Sequence, residues 1–407
     1  MEGITNSERA AAACPQRWLL RYGLGLRPVA YARPLYLGSL VHSGLEALFT
    51  AWATPNAEGN SPIGGWPLSH ALAAVESAKG AELDARGIDA LGFLSPYADP
   101  ATLDALDADT ATARALVTGY AATWGGLDDW AILANEITFL EAIRLPENPK
   151  RRSKWRVAGK IDKVARINGR IWIIEHKTSA VNLGEWAEKN RRNPQALTYA
   201  IALAEKFPSE EIAGVIYDLI QSKAPKAAEA LAILKSGKAL AKVAGLPWTT
   251  AAEFQKAIGA LADAGSDPLD GAEWYRETLD ALRERDASGF WYRREAVPFE
   301  PSQVARVNGE LYQAAQTIGE WRKSIEKVAG EGGQIAPENI PAFLAAKASQ
   351  WPREASLCYQ FNRLCAYASI CAEGSAEAVA GFAITGAAGG HDELATDNGA
   401  SGHNLRN

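Results

Sequence analysis

An aspartate, a glutamate and a lysine lie among the strand-forming apolar residues of two adjacent segments. The stretch 159–178 reads GKIDKVARINGRIWIIEHKT, and the Asn-Gly in its middle is the preferred centre of a two-residue hairpin turn. If the residues that flank this turn pair with each other, Asp162 lies directly opposite Glu175. The sequence therefore predicts a hairpin in which two carboxylates are cross-strand neighbours.

Alternation along the second strand places Lys177 on the same face as both carboxylates, and His176 on the opposite face. Like charges directly opposite each other destabilise a hairpin unless a positive charge lies between them. A divalent cation beside Lys177 would supply that charge. The alternative is a solvated strand face on which the charges align by chance.

The surrounding segments predict the elements that position this hairpin. Residues 34–51 have apolar groups at helical spacing, and residues 131–140 have the pattern of a strand. After the hairpin, 193–207 is a helix opened by Asn-Pro and 211–221 is a further strand. This order predicts an α/β fold with a central mixed sheet covered by helices.

The chain is predicted to form one domain over residues 1–372. Helical insertions are expected at about 52–125 and 223–285, and the end of the domain is mainly helical apart from a strand near 290–299. From 373 to 407, Gly, Ala, Ser, Asp and Asn dominate, so this tail is expected to be disordered.

Composition indicates a globular protein with an ample core, because 47% of the 407 residues are hydrophobic and 22% are charged. We expect neither a secretion signal nor a membrane-spanning helix, and a location inside the cell. The net charge of −6 hides a basic region: residues 150–193 contain 13 Lys and Arg against 4 Asp and Glu. A basic field around the hairpin suits a polyanionic substrate, although an ordinary solvated surface would have the same composition.

These motifs together resemble a known family of nucleases. GKID followed by IIEHK is similar to the G-x-[IV]-D and E-x-K signature of the PD-(D/E)XK nucleases, in particular the RecB-like and phage-exonuclease branch. LGSLVH, with Gly38 and His42, resembles the G-x-x-x-H element of that branch. QALTY, with Gln195 and Tyr199 on one helical face, resembles its following helix. The resemblance implies a restriction-endonuclease-like core.

The cysteines extend this resemblance. Cys14 lies near the start of the chain, and Cys358, Cys365 and Cys371 lie near its end. In some relatives, this arrangement ties the two termini together through a 4Fe-4S cluster, which usually takes four Cys thiolates. The spacing departs from C-x2-C-x5-C, since six and five residues separate the last three cysteines. Zinc and unliganded thiols remain as alternatives.

The resemblance also implies roles for the charged residues. His42, Asp162 and Glu175 are expected to bind Mg²⁺ or Mn²⁺, with the main-chain carbonyl of Ile174 or His176 as a supplement. Lys177 is expected to orient or deprotonate the attacking water, or to steady the scissile phosphate. Acting as a base would require a lowered pKa.

The implied activity is hydrolysis of DNA phosphodiesters that leaves 5′-phosphates, with Gln195 and Tyr199 positioning the strand. We expect an exonuclease of recombination, repair or phage DNA processing, in the cytoplasm of a bacterial or phage-infected cell. Two alternatives remain: a nuclease subunit that needs a partner, as in CRISPR adaptation or a helicase-nuclease complex, and a catalytically silent iron-sulfur scaffold that binds DNA. The chain has no G-x-x-x-x-G-K-[ST] motif, so a motor would have to be another chain.

Overall fold

The computed structural model describes residues 3–28, 33–53, 67–85, 100–124, 130–225, 248–263, 272–329, 335–347, 349–360, 363–373 and 375–384. The strands are β1 (Gly3–Ile4), β2 (Leu26–Pro28), β3 (Trp130–Leu145), β4 (Asn148–Ile167), β5 (Arg170–Ser179), β6 (Ile212–Gln221), β7 (Tyr292–Pro298), β8 (Tyr359–Gln360), β9 (Arg363–Leu364) and β10 (Phe382–Ile384). The helices are α1 (Asn6–Ala12), α2 (Pro15–Trp18), α3 (Arg33–Ala53), α4 (Leu68–Ala85), α5 (Pro100–Trp124), α6 (Leu183–Asn190), α7 (Pro194–Lys206), α8 (Ala251–Asp263), α9 (Ala272–Ala287), α10 (Pro301–Ala329), α11 (Ile340–Lys347), α12 (Ala368–Glu373) and α13 (Ala376–Ala380).

A mixed sheet forms the centre of the fold, which confirms the predicted α/β class. Its strands follow the order β1-β4-β5-β6-β7, and β3 also pairs with β4. The pairs β1/β4 and β5/β6 are parallel, whereas β3/β4, β4/β5 and β6/β7 are antiparallel. Between β5 and β6 the chain passes through α6 and α7, because a parallel connection needs a crossover.

The predicted hairpin register is confirmed where the two strands pair. Ile167 pairs with Arg170 across the Asn-Gly turn, and the ladder continues to Lys163 opposite Ile174. Both turn residues have positive φ, +50° at Asn168 and +77° in the following glycine, as a type I′ turn requires. The ladder ends one position before Asp162 and Glu175, so β4 and β5 separate at the two carboxylates.

A notch in the sheet results from the length of β4. β3 pairs with β4 along most of its length, so β1 and β5 share the other edge. β1 covers that edge at Arg156 and Val157, and β5 covers it from Lys163 onwards. Among the described strands, none covers residues 158–162 on this edge, and the sheet is open there.

Helices cover both sides of the sheet. α3, α4 and α5 pack around a core that includes Leu40, Phe49 and Tyr120, and the latter two helices lie in the first segment where helical insertions were predicted. A second core includes Val157 and Leu311 and joins the sheet to α7 and α10. α8 and α9 form a smaller cluster around Phe254.

The end of the chain packs against its beginning. β10 is antiparallel to β2, and the Tyr367 hydroxyl donates to the Leu26 carbonyl at 2.9 Å. The disorder expected from residue 373 is therefore wrong for 375–384, where a helix and a strand form. Residues 385–407 lie outside the described part. No helix in the described ranges has the length and apolar character needed to cross a membrane.

Candidate metal centre

The notch in β4 opens into a cleft of about 1100 Å³ between the sheet, α3, α4 and α7. The cleft is lined by all six of the catalytic, metal-binding and substrate-binding residues predicted from the sequence: His42, Asp162, Glu175, Lys177, Gln195 and Tyr199. Residues from α3, two strands of the hairpin and α7 thus meet at one place. The sheet brings together groups that lie up to 157 positions apart in the sequence.

Three side chains at the floor of the cleft form a compact group of candidate metal ligands. One ligand atom each from His42, Glu136 and Asp162 lies within 4.8 Å of the other two. The His42 Nδ1 atom is 3.6 Å from Asp162 Oδ2. Two carboxylates and one imidazole suit Mg²⁺ or Mn²⁺, and the imidazole favours Mn²⁺.

Glu136 is the member of this group that the sequence analysis missed. Asn135 pairs with Lys163 and Ile137 pairs with Ile161, so Glu136 lies opposite Asp162 on the β3 side. Its φ is +51°, which is uncommon for a residue with a side chain and is found disproportionately at functional sites. An acidic residue inside the apolar run AILANEITFL was the available signal.

The environment of Glu136 opposes its negative charge. Burial and then the charge of Asp162 raise the pKa of Glu136 above its usual value, although Lys160 offsets part of this. The Lys160 ammonium lies 2.5 Å from Glu136 Oε2. A bound cation would relieve the repulsion between the two carboxylates.

The main chain of His176 holds two of the candidate ligands. Its N–H donates to Asp162 Oδ2 at 2.9 Å, in the position where the β4/β5 ladder would otherwise continue. Its carbonyl accepts a hydrogen bond from His42 Nε2 at 3.0 Å. Because Nε2 is then protonated, the lone pair of Nδ1 is available to a metal ion beside Asp162.

Glu175 and Lys177 form a buried pair next to this group. Lys177 Nζ donates to Glu175 Oε1 at 2.5 Å, whereas Glu175 Oε2 is buried with no hydrogen-bond partner among the described residues. Burial and the charge of Asp162 raise the pKa of Glu175 to about 7. Burial lowers the pKa of Lys177, but the nearby charges of Glu175 and Asp162 outweigh it and the pKa lies above its usual value.

These observations meet the requirements of a divalent cation. Glu175, whose buried Oε2 has no hydrogen-bond partner in the described part of the chain, lines the same cleft as three ligand atoms that are already close together. The compact group takes Glu136 rather than Glu175 as its second carboxylate. The role of Glu175 as a ligand stays a prediction, with Oε2 as the atom available for it.

Gln195 and Tyr199 lie one helical turn apart on α7, as predicted. Gln195 Nε2 donates to the Tyr199 hydroxyl at 2.7 Å, and both residues line the cleft. Burial and the charges of Glu175 and Asp162 hold the pKa of Tyr199 well above its usual value. Tyr199 is therefore a neutral hydroxyl on the wall of the cleft.

The opposite side of the sheet contains a second polar cluster. Lys163 Nζ lies 2.8 Å from His176 Nε2 and 4.1 Å from the centroid of the Phe49 ring. Burial, followed by the charge of Lys163, holds the pKa of His176 well below its usual value. His176 is therefore a neutral acceptor for Lys163, and its Nδ1 faces Asp218 Oδ2 at 3.5 Å.

The four cysteines are free thiols and do not form a compact ligand group. The main chain nevertheless brings them to one region: Glu354 N donates to Cys14 Sγ at 3.5 Å, and Cys365 N donates to the Cys358 carbonyl at 2.7 Å. Burial, followed by the charges of the other three cysteines, raises the pKa of Cys371 to about 11. The N-terminal and C-terminal cysteines are thus close enough to influence one another.

Comparison with known proteins shows the family of this chain. A search of curated proteins finds no match. Among solved structures, the chain is similar to a phage-related exonuclease from Haemophilus somnus 129PT, with 14% identity, a TM-score of 0.23, and coverage of 68% of this chain and 94% of that one. A likeness this distant carries no argument about activity. The family model of the PD-(D/E)XK nuclease superfamily matches residues 7–372, nine tenths of the chain, and this protein therefore belongs to that superfamily.

Proposed function

We propose that this protein is a divalent-metal-dependent deoxyribonuclease that hydrolyses DNA phosphodiesters. The observation that carries the proposal is the compact group of His42, Glu136 and Asp162 at the floor of the cleft, with Lys177 and Glu175 beside it. A phosphodiester is anionic, so its attack needs a positive site at which negative charge is neutralised as it develops. The cleft holds both an ammonium group and a set of cation ligands.

The residues divide the chemistry between them. A bound Mg²⁺ or Mn²⁺ supplies Lewis acidity and lowers the pKa of water. Asp162, Glu136 and His42 would hold the ion, and the buried Oε2 of Glu175 would complete its surroundings. In the metal-free protein the carboxylates of Glu175 and Asp162 hold the pKa of Lys177 above its usual value, so its ammonium group is suited to orient the water or to steady the scissile phosphate.

The finer assignment is an exonuclease that leaves 5′-phosphates and acts in recombination, repair or phage DNA processing. Its support is the resemblance of GKID, IIEHK, LGSLVH and QALTY to the RecB-like and phage-exonuclease branch. Gln195 and Tyr199, on the wall of the cleft, would position the substrate strand. A recombination or helicase protein is the kind of partner that this assignment suggests.

The test is digestion of single-stranded and double-stranded DNA that is labelled at either the 5′ or the 3′ end. Each substrate is incubated once with Mn²⁺ and once with EDTA. We expect cleavage that needs the metal and releases mononucleotides or short products with 5′-phosphates, and the labelled end gives the polarity. Asp162→Ala should lose both Mn²⁺ binding and cleavage. Absence of cleavage on every substrate, by folded protein that binds Mn²⁺, would refute the nuclease proposal.

A 4Fe-4S cluster held by Cys14, Cys358, Cys365 and Cys371 is the second part of the proposal. Its support is the convergence of both chain ends on these thiols and the mutual effect of their charges on the Cys371 pKa. In a cluster each thiolate binds a different iron, so the sulfur atoms need not be as close as four ligands of one zinc ion. The cluster would tie the two chain ends together.

Anaerobic purification tests this part. We expect brown protein with broad visible absorption, and bleaching together with a lower melting temperature in Cys371→Ala. Iron and sulfide analysis gives the stoichiometry. Colourless protein with one zinc per chain would transfer the site to the zinc alternative, and metal-free colourless protein would leave four structural thiols.

A further inference from the structure

The hairpin of β3 and β4 continues beyond the rest of the sheet as a basic arm, which we define as residues 144–156. The arm reads RLPENPKRRSKWR and has six Lys and Arg against one acidic residue, in a protein whose net charge is −6. Among the described strands, β1 pairs with the arm only at the arm's last residue, Arg156, and β3 is the strand partner of residues 148–155. A concentrated positive charge is thus presented on a two-stranded projection.

Four of these six basic side chains have no acidic partner among the described residues. Arg144 Nε and Arg152 Nη2 donate to the two carboxylate oxygens of Glu205 at 2.7 and 2.6 Å, which fixes the arm to α7. The structure gives no acidic partner to the other four basic side chains among the described residues. All four are exposed: Lys150, Arg151, Lys154 and Arg156.

The arm is rigid because α10 supports its underside. Asn308 bonds to both main-chain groups of Arg144, accepting from its N–H at 3.1 Å and donating to its carbonyl at 2.9 Å. Gly319 provides space for the Trp155 ring, which a Cβ at that position would overlap. Lys154 is exposed, with Nζ 4.8 Å from the centroid of that ring.

The exposed side of the arm continues the floor of the cleft. From Arg156 to Asp162 the pairing with β3 is regular, so alternate residues share one face. Ala158, Lys160 and Asp162 line the cleft on this face, whereas Val157 packs in the core. Arg156 therefore extends the row of side chains that begins at the candidate metal ligand.

The spacing of the arm matches the rise of a DNA duplex. Strands rise by about 3.3 Å per residue, which places Arg156 about 20 Å from Asp162. Leu145 pairs with Asn148 and Arg144 pairs with Arg152, so Lys150 lies level with the end of β3 and about 30 Å from Asp162. Each base pair of a duplex adds about 3.4 Å. The proximal pair, Lys154 and Arg156, therefore lies about 6 to 8 base pairs from the cleft, and the distal pair, Lys150 and Arg151, about 8 to 9.

We infer that the basic arm is a phosphate-binding surface for the duplex that flanks the cut, and that it sets how much duplex the enzyme engages. A duplex is stiff over this distance, so it can lie along the rigid arm without losing conformational freedom. A flexible single strand would have to become ordered to make the same contacts. This inference rests on the proposed DNA substrate. It adds a second contact region, about 20 to 30 Å from the chemistry.

Binding of fluorescent duplexes of 6, 10, 14 and 20 base pairs, measured by anisotropy in EDTA, tests the inference. The wild-type affinity should rise with length up to about 10 base pairs and then level off. Lys154→Gln with Arg156→Gln should weaken binding of duplexes of 10 base pairs or more, and so should Lys150→Gln with Arg151→Gln. Neither double variant should change binding of the 6-base-pair duplex.

Each double variant should also lower the slope of log affinity against log salt by about 2, because each lost phosphate contact contributes about 0.9. The matched control is Arg276→Gln with Arg283→Gln, two exposed arginines on α9, which should change neither the slope nor the length profile. The arm inference fails if both arm variants bind every duplex like the wild type, or if they weaken single strands as much as duplexes.

Cleavage separates this outcome from failure of the proposed function. The arm variants retain the residues of the cleft, so with Mn²⁺ they should cut the 6-base-pair duplex at the wild-type rate and longer ones with a higher KM. If the wild type and the arm variants all cleave DNA and the substitutions leave KM unchanged for every duplex, the arm inference alone is overturned. Absence of cleavage by the wild type overturns the proposed function, while the binding profile still decides the role of the arm.

Discussion

The two faces of the β4/β5 hairpin both carry buried charged groups, but their charge balance differs. On the cleft side, three carboxylates lie near two ammonium groups: Glu136, Asp162 and Glu175 against Lys160 and Lys177. A buried carboxylate oxygen there has no hydrogen-bond partner in the described part of the chain. The cleft side is therefore deficient in positive charge.

The far side has the opposite balance. Asp218 accepts from the Tyr120 hydroxyl at 2.5 Å and lies 3.4 Å from Arg294 Nε, while Lys163 lies against the neutral His176. One carboxylate is thus matched by two cationic groups in a sealed space. Asp218 Oδ1 is also buried without a hydrogen-bond partner in the described part, so an unpartnered carboxylate oxygen does not distinguish the two sides. They differ in charge balance and in access to open space, and on that ground we propose the cleft side as the metal site.

The largest expected effect is that of Lys177→Ala on chemistry. Loss of the ammonium group should reduce kcat by about 10²- to 10⁴-fold, because a positioned donor to the reacting groups is removed. Mn²⁺ and DNA binding should persist, since Lys177 is not among the ligands. Single-turnover cleavage and calorimetric titration with Mn²⁺ measure the two properties.

The matched variant on the far side is Lys163→Met, which removes a buried ammonium group of similar length. Burial lowers the pKa of Lys163, which means that its positive charge is costly to the fold. Because Lys163 faces away from the cleft, loss of its ammonium group should leave the cleavage rate within about threefold of wild type. Wild-type kcat in Lys177→Ala, or a loss of kcat in Lys163→Met at full metal occupancy, would break the contrast between the two faces.

The next effect is that of Glu136→Gln on metal affinity. Gln keeps the size of the side chain and removes one of the three negative charges, so Mn²⁺ affinity should fall by at least about tenfold. Glu141→Gln, further along β3, is the control. Unchanged Mn²⁺ affinity in Glu136→Gln would remove this residue from the ligand group and return the second carboxylate position to Glu175.

Much of this site follows from the sequence because its core is a local hairpin. The Asn-Gly turn determined the register of five residue pairs, and strand alternation separated His176 from Glu175 and Lys177. His42, Gln195 and Tyr199 came from the family resemblance, and the structure places all three in the cleft.

The residues that were missed depend on long-range or irregular geometry. Glu136 lies opposite Asp162 only after a shift in the β3/β4 register between Ile132 and Ala134, and no turn motif predicts that shift. Asp218 reaches His176 through a parallel pairing across α6 and α7. The pairing of β10 with β2 joins segments about 355 residues apart, and the small-residue composition of the C-terminal segment gave no sign of it.

A smaller effect concerns the pH dependence of stability. The pKa of Glu175 is raised to about 7 from an ordinary value of 4.5, so the folded metal-free protein binds this proton more tightly than the unfolded chain does. The resulting stability is present below about pH 4.5 and is lost as the pH rises through about 7. Mn²⁺ needs the carboxylate, so it should stabilise the protein more at pH 8 than at pH 6.

Thermal unfolding between pH 5 and 8, with EDTA or Mn²⁺, measures both trends. Glu175→Gln provides the reference, because the difference between wild type and variant isolates this group from the others that titrate. In EDTA, the wild type should lose stability relative to Glu175→Gln as the pH rises. A difference that does not change with pH would show that Glu175 titrates as an ordinary carboxyl.

The smallest expected effect on activity is that of His176→Gln, although His176 lies inside the E-x-K motif. Its side chain contacts Lys163 on the far side, whereas its main-chain N–H and carbonyl hold Asp162 and His42. Because the substitution leaves the main chain in place, Mn²⁺ affinity and kcat should stay within about threefold of wild type. The lost contact should lower the free energy of unfolding by about 1 to 2 kcal/mol.

His42→Ala is the comparison: it removes a proposed ligand and should severely reduce metal-dependent cleavage. Urea denaturation and Mn²⁺ titration of both variants measure these effects. The reverse result, with metal binding lost in His176→Gln and kept in His42→Ala, would mean that the register differs by one residue and the two faces are exchanged.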